Sequence, residues 1–443
     1  MTSREQDEVL WRYLGGQPAT AGLSRELATN PAMSRRLAEL ALIECAIRDD
    51  AVKADAQRTL RRRILVPMIS SGVALLALLL AGGGWFLLSR PEVGTPIAER
   101  GNPNAKQMIS AVREGKMVEV KEKPFRVAFA REETNLEFSP GSEMKLEETK
   151  AGGKRVRLNK GRIDADVAPQ EMALEVITPH LEAKVLGTQF NVDAEEGGSR
   201  LFVDEGLVEV LSKSLTKPRN LSQESGWWQM ASGRGVSVAG ARRVSSPPEI
   251  DGVEDQLWES QPVHPNAFLG ENKVNEIDSE EDHSSSWRAV WDDEALYVLI
   301  EVVDNADGRG NDKPWSNDSA EIFIDADHGR TQKLDGVNDY LLFFDPSRTD
   351  IFPGIGSVEV TAGMDHVTRR TSQGFRTEVK IPWSDLGVRP REGFEIGFNV
   401  ASNDTDETEG KRRSQLTWTP KVSGDFGRPD RMGVLILSGA GPP

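Results

Sequence analysis

Cysteine is almost missing from this chain. Its 443 residues include one, Cys45, so no intrachain disulfide can form and every domain must hold together by burying a core. Small disulfide-stapled modules are excluded. Cys45 itself reads as a small buried apolar residue. Histidine is also scarce: residues 1–63 contain none, which excludes a Cys/His zinc site there, and His180, His264, His283, His328 and His366 recur at no ligand spacing. No GxSxG elbow, P-loop, HExxH or GxGxxG in a strand–helix context occurs, so nothing in the sequence marks an enzyme. A cationic excess is lacking too. Formal charge is −16, with about +2 on residues 1–63 and roughly −18 on the remainder, which argues against nucleic acid as a partner.

Long apolar stretches are absent with one exception. Residues 64–88, ILVPMISSGVALLALLLAGGGWFLL, carry no charge. As a helix at 1.5 Å per residue this run reaches about 37 Å, enough to cross a hydrocarbon core of about 30 Å with some tilt. Arg58, Arg61, Arg62 and Arg63 precede it and only Arg90 lies close on its other side. The positive-inside bias then keeps residues 1–63 in the cytoplasm and exports the C-terminal part of the chain across the inner (cytoplasmic) membrane into the periplasm. A cleavable signal peptide fits less well, because the run starts far from Met1, exceeds an h-region in length and lacks a clear small-residue cleavage site. Gly72 and Gly82 to Gly84 permit close helix contact without forming a clean GxxxG.

Ahead of the span, Val9, Leu10, Tyr13 and Leu14 recur at helical spacing up to Gly15 and Gly16. A short second helix fits Leu23 to Ala28. Asn30 followed by Pro31 reads as a cap and first turn, leading into a helix striped with Met33, Leu37, Leu40, Ile43 and Ile47. So apolar a stripe implies either a self-packed helical cap or a surface awaiting a partner. After the span, residues 89–119 read as a linker punctuated by Pro91, Pro96, Gly101 and Pro103.

From residue 120 the pattern becomes period-two: Phe125/Val127/Phe129, Val156/Leu158, Phe190/Val192, Leu201/Val203 and Val208/Val210 alternate between glycine turns. The spacing predicts an antiparallel β domain over 120–240, free of helix. Pro247-Pro248 then opens a last unit over 248–438. Nine strands are expected in it, at 287–291, 296–303, 320–324, 340–344, 358–361, 376–381, 395–401, 415–418 and 432–437, forming a β-sandwich or jelly roll. The fold class is therefore mainly β, with a short N-terminal helical segment and one transmembrane helix. In the adjacent pair Trp227-Trp228, one ring should pack on the sheet and the other lie at its rim, while Trp258, Trp291, Trp383 and Trp418 read as framework.

Three segments resemble known families. LWRYLGGQPATAGLSRELATNPAMSRRLAEL, with its LxxYLxG and NPxxxxxLxEL elements, resembles the N-terminal segment of bacterial transmembrane anti-sigma regulators, which implies that residues 1–63 hold a sigma factor. ITPHLEAKVLGTQFNV followed by LFVDEGLVEVLS resembles the FecR domain of regulators that relay an outside signal to a sigma factor. PEIDGVEDQLWE, VWDDEALYVLIEVVD, KPWSNDSAEIFID, EVKIPWSDLG, EIGFNVASND and LTWTP, in that order, resemble a family 9 carbohydrate-binding module. That last resemblance implies a polysaccharide or oligosaccharide end held between two aromatic rings, and calcium bound in loops. It maps one stacking ring to Trp315, a hydroxyl-binding carboxylate to Glu321 and the second ring to Phe426. The family's arginine is replaced at about Leu342, and its asparagine before the second ring at about Ser423. A pyranose offers C–H faces to a ring and hydroxyls to polar groups, so a ring and a carboxylate are its minimal recogniser. Oxygen clusters suited to a hard cation occur at Asp304, Asp307 and Asp312 and at Asp325 and Asp327, with no EF-hand spacing. Two functions stay open: a membrane regulator coupling glycan sensing to a sigma factor, and a membrane-anchored carbohydrate-binding protein that does not signal.

Overall fold

The structure, a computed structural model, describes residues 96–98, 105–129, 133–149, 152–270, 276–354, 363–408, 410–420 and 427–439. These belong to one compact unit spanning Glu92–Pro443. The helical segment 1–63 and the apolar run 64–88 lie outside the described residues, among which no helix is long and apolar enough to cross a membrane.

The first module holds β1 (Pro96–Ala98), α1 (Ala105–Arg113), β2 (Val118–Glu119), β3 (Phe125–Phe129), β4 (Asn135–Phe138), β5 (Glu143–Glu148) and β6 (Lys154–Val167). It continues through β7 (Leu174–Ile177), β8 (Leu181–Val185), β9 (Thr188–Glu195), β10 (Gly198–Glu205), β11 (Leu207–Ser212), β12 (Arg219–Ser222), β13 (Ser225–Met230) and β14 (Gly235–Arg243). The stretch 89–119, expected as a linker, thus carries two short strands and a helix. The helix forms because Ala105, Ile109 and Val112 recur at helical spacing and are buried.

Strand β6 serves two sheets. Its first half pairs with β5 and β7, and its second half with β4 and β9. Gly161 permits the bend between them: its φ is +95°, and a Cβ there would sit 2.5 Å from the Ser142 Cα. Between the sheets lies one apolar core that includes Phe125, Phe138, Val156, Leu158, Phe190 and Trp227.

The second module comprises α2 (Gln256–Glu259), β15 (His264–Pro265), β16 (Phe268–Leu269), β17 (His283–Trp291), β18 (Ala295–Asp304), β19 (Ser319–Asp325), β20 (Asp339–Phe344) and β21 (Phe352–Pro353). After these come β22 (Asp365–Thr371), β23 (Gly374–Pro382), α3 (Trp383–Leu386), β24 (Glu395–Asp404), β25 (Ser414–Thr417) and β26 (Gly433–Ser438). One sheet runs β22-β23-β18-β17, and the other runs β21-β20-β19-β24, with β25 and β26 on successive halves of β24. Trp287, Trp291, Trp383, Trp418, Phe344 and Phe398 fill the space between, as expected of Trp291, Trp383 and Trp418, and Trp258, also expected as framework, is buried in a smaller cluster with Tyr297 and Leu299. Strand β22, exposed along much of DHVTRRT, has no counterpart among the expected strands, and the strand expected at 358–361 lies outside the described residues.

The modules share a sheet. β14 pairs antiparallel with β13 on one side and parallel with β26 on the other, Val238 opposite Val434 through Arg242 opposite Ser438. Its end also reaches β17, Arg242 opposite Val290. Flanked on both edges, β14 is buried from Gly235 to Ala241, which suits its small and apolar sequence GVSVAGA. Gly433 allows the close approach, since a Cβ there would lie 2.5 Å from the Trp418 ring and 2.7 Å from the Ser237 carbonyl oxygen. Ser237 donates its amide to Thr419 Oγ1 at 3.0 Å and its hydroxyl to the Trp418 carbonyl at 2.8 Å. One hydrogen-bonded sheet consequently runs β1-β3-β4-β6-β9-β10-β13-β14-β26-β24-β19-β20-β21.

Candidate functional site

Along β19, alternation sends Ala320, Ile322 and Ile324 into the main core and leaves Glu321 and Phe323 on the opposite face. Across the neighbouring strands Glu321 stands opposite Phe343 of β20, and Phe343 opposite Phe352 of β21. Trp315 sits in the 3-10 turn Pro314–Ser316 just before β19, half-buried, its ring centroid 5.5 Å from that of Phe343 and 6.1 Å from that of Phe352. Leu334, from the β19–β20 loop, packs on the same aromatic cluster. Trp315 and Glu321 are therefore brought to one face, joined through Phe343. Phe426 and Ser423 lie outside the described residues.

Glu321 is 1% exposed. Its Oε1 accepts from the Asn403 side-chain amide at 2.6 Å and from that of Gln415 at 3.0 Å, and Arg412 donates to Asn403 Oδ1 at 2.8 Å. Glu321 Oε2 has no partner. Buried polar atoms are nearly always hydrogen-bonded, and among the described residues no donor reaches this oxygen, which leaves it open to a ligand hydroxyl or water. An aromatic cluster, a carboxylate oxygen without a donor and adjacent amides form a surface suited to a molecule with C–H faces and hydroxyls.

The arginine replacement expected at about Leu342 falls on β20, where neighbouring side chains alternate between faces. The Leu342 side chain lies in the main core, while Leu341 and Phe343 are on the Glu321 face. Asn403, Gln415 and Phe352 carry no local signal in the sequence, because only strand pairing brings them to Glu321.

Behind this face, at the strand ends, Asp304 of β18, Asp318 just before β19 and Asp404 of β24 are buried, with one oxygen of each within 4.8 Å of the others. Asp318 accepts from the Gly308 amide at 2.7 Å and the Thr405 amide at 3.0 Å, and Asp304 accepts from the Ala306 amide at 2.8 Å. Arg370 Nη2 stands 3.5 Å from Asp318. Asp304 Oδ2 and Asp404 Oδ1 have no partner. Burial, then the neighbouring Asp304, pushes the Asp318 carboxyl up to about 8. Burial likewise pushes Asp404 up to about 6, and raises Asp304.

Hard oxygen donors with oxygens left over fit a cation such as calcium. Of the acids marked in the sequence, only Asp304 belongs to this cluster. Asp307 pairs instead with Arg309 and Arg370, and Asp325 accepts the Gly329 and Arg330 amides, each at 2.8 Å.

The cluster continues into a buried polar chain. Ser414 donates to Asp404 at 2.9 Å, which leaves its oxygen to accept from His283 Nδ1–H. His283 Nε2 then accepts from Ser402 at 2.8 Å. Burial drives His283 down to about 4, so it is neutral at pH 7.

Comparison with known proteins agrees with this division of the chain. Residues 250–440 match the carbohydrate family 9 binding domain-like family, and residues 119–209 match the FecR protein family. The chain thus joins a FecR domain to a carbohydrate family 9 binding domain. Endo-1,4-beta-xylanase A of Thermoanaerobacterium saccharolyticum is 25% identical over 281 residues, 62% of this chain and 22% of that protein. Exoglucanase XynX of Acetivibrio thermocellus is 27% identical over 206 residues, 45% of this chain and 17% of that protein. The chain therefore spans about a fifth of these relatives. Among solved structures, a family 9 carbohydrate-binding module of Caldicellulosiruptor kristjanssonii in complex with cellotriose is 22% identical, with a TM-score of 0.40, covering 46% of this chain and 95% of that one. A putative anti-sigma factor of Parabacteroides distasonis is 21% identical, with a TM-score of 0.25, covering 28% of this chain and 58% of that one.

Proposed function

We propose that this protein is a single-pass membrane regulator that senses a glycan outside the cytoplasm and controls a sigma factor within it. Residues 1–63 hold the sigma factor, 64–88 anchor the chain in the inner membrane, and the exported modules carry the sensor. The observation that carries the sensing part is the Glu321 oxygen without a donor, buried beside the Trp315 cluster. In this reading Trp315 supplies the stacking ring, Glu321 accepts from a sugar hydroxyl, and Asn403 and Gln415 orient the carboxylate. Phe426 is the expected second ring. Asp304, Asp318 and Asp404 hold a calcium ion, whose charge removes their mutual repulsion. The function is binding, with no hydrolysis assigned.

Titrating the full-length chain with cello- and xylo-oligosaccharides and with insoluble polysaccharides, with and without calcium, tests the sensor. Loss of binding in Trp315→Ala is the expected result, and failure of the wild type to bind across the panel would sink the glycan assignment. For the regulatory part, the full-length chain should recover a sigma factor from its own cells, and recovery of none under any condition would overturn it. The second reading, an anchored glycan-binding protein without a signalling role, draws on the curated relatives, which are polysaccharide-degrading enzymes by name. Glycan binding together with no sigma factor would favour it.

A further inference from the structure

The β19–β20 loop, residues 326–338, touches two places at once. Near one end Leu334 packs on the cluster of Trp315, Phe343 and Phe352. Near the other, His328 and Arg330 meet the FecR module. The Arg330 guanidinium lies 5.0 Å from the centroid of the Trp228 ring, and Arg200 of β10 lies 4.8 Å from the same ring, so Trp228 is gripped by a cation from each module. Arg200 also pairs at 2.5 Å with Glu395 at the start of β24. Arg330 donates to His328 Nε2 at 3.1 Å, which leaves the His328 Nδ1 proton facing Glu395 at 3.5 Å.

The turn itself is not relaxed. His328 and Arg330 have φ of 54° and 51°, in the left-handed region that side chains disfavour. Asp325 holds it by accepting the Gly329 and Arg330 amides, and Arg330 reaches across to the Asp430 carbonyl at 2.9 Å. The His328–Arg330 end of the loop is thus held by groups outside the Trp315 cluster.

We infer that Trp228 and Arg200 of the FecR module are positioning residues for the glycan site, setting through Arg330 and His328 the loop that walls the Trp315 cluster. This rests on the glycan reading above and adds to it a second module as part of the site. Linkage is reciprocal: if the clamp favours the ligand-ready loop, ligand favours the closed clamp by the same factor. A bound sugar would then be registered at β10 and β13 without any hinge between modules.

The test uses the full-length chain as wild type, Trp228→Ala, Trp228→Phe and Arg200→Gln. Amide hydrogen exchange across residues 326–338 is measured together with cellotriose affinity. Loss of the Trp228 ring should speed exchange in the loop while leaving β18 and β23 unchanged, and weaken cellotriose binding by about threefold to thirtyfold. Trp228→Phe should restore most of both, and Arg200→Gln should reproduce part of the loss. Cellotriose should slow exchange in β10 and β13 of the wild type. Unchanged loop exchange in Trp228→Ala overturns the proposal, as does an unchanged affinity in a wild type that binds. A wild type that binds nothing across the oligosaccharide and polysaccharide panel, with a loop that still loosens in Trp228→Ala, defeats the glycan reading and leaves only the setting of the loop by Trp228 supported.

Discussion

Glu321 is costly as well as useful. Both amide donors reach Oε1 while Oε2 stays buried with no donor among the described residues, a desolvated oxygen that a ligand hydroxyl or water would relieve. Glu321→Gln keeps the Oε1 acceptor and removes the charge. It should weaken glycan affinity by roughly tenfold, about 1.4 kcal/mol, while raising Tm by a few degrees, and titration calorimetry and thermal melts on the same samples check both. A Tm that falls would show Oε2 to be satisfied in the free protein. The carboxylate cluster gives a pH-dependent counterpart. Asp318 and Asp404 hold protons up to about 8 and about 6, whereas in the unfolded chain they release them near 4. Without metal their contribution to stability is fully present below pH 4 and is lost as pH rises toward 8. Calcium requires the deprotonated form, so its stabilisation grows over that same range. Buried His264 and His283, driven down to about 3 and about 4, act oppositely: they destabilise the fold as pH falls below about 6.5. Subtracting Tm in EDTA from Tm in calcium cancels the histidines. That difference should widen from pH 5 to pH 8 and vanish in Asp318→Asn. A flat difference would remove calcium from this cluster.

At the scale of elements, the strands were legible and their partners were not. Phe125/Val127/Phe129 and Val156/Leu158 alternate in the sequence and are buried in the structure, because one face of each strand meets a core. The Trp227-Trp228 pair divides as alternation demands, with Trp227 buried and Trp228 at the rim between two arginines. Helix α1 was hidden by the Pro and Gly signals just before it, although Ala105, Ile109 and Val112 have helical spacing. Strand β22 has no buried face to write a pattern. Trp315 and Glu321 were found through resemblance, whereas Asn403 and Gln415 meet Glu321 only through the β19–β24–β25 ladder, which no local pattern specifies. Most opaque was β14, whose apolar sequence says that it is buried but not that its second neighbour is β26. The close approach there makes a testable demand. Gly433→Ala places a methyl against the Trp418 ring and the Ser237 carbonyl, and should cost about 1–3 kcal/mol by overpacking. A stability unchanged in denaturant melts would mean that the two strands can part without loss.

The whole molecule then departs from the picture of two beads on a string. Parallel pairing of β14 with β26 and its contact with β17 make the last strand of the first module part of the sandwich. Ser237 with Trp418 and Thr419 adds buried hydrogen bonds across the seam. Arg219 lies between the Trp227 and Phe268 rings, 5.5 and 4.7 Å from their centroids, so an aromatic core residue of one module and a ring of the other share a cation. Severing the modules between β14 and α2 would strip β26 of its ladder partner, leave an apolar edge open to other chains, and expose the Trp227 and Phe268 contact. Residues 248–443 expressed alone should therefore aggregate or melt well below the same residues in the full chain. The intact unit Glu92–Pro443 should unfold in one transition, with equal calorimetric and van't Hoff enthalpies, and a sugar bound at the Trp315 face should raise that single Tm. Two separate transitions, with only the later residues shifted by ligand, would show the seam to be weaker than its core. One transition would mean that a ligand on the sandwich stabilises the sheet as far as β1, because the pairing of β14 with β26 carries the ladder without a break from one module into the other.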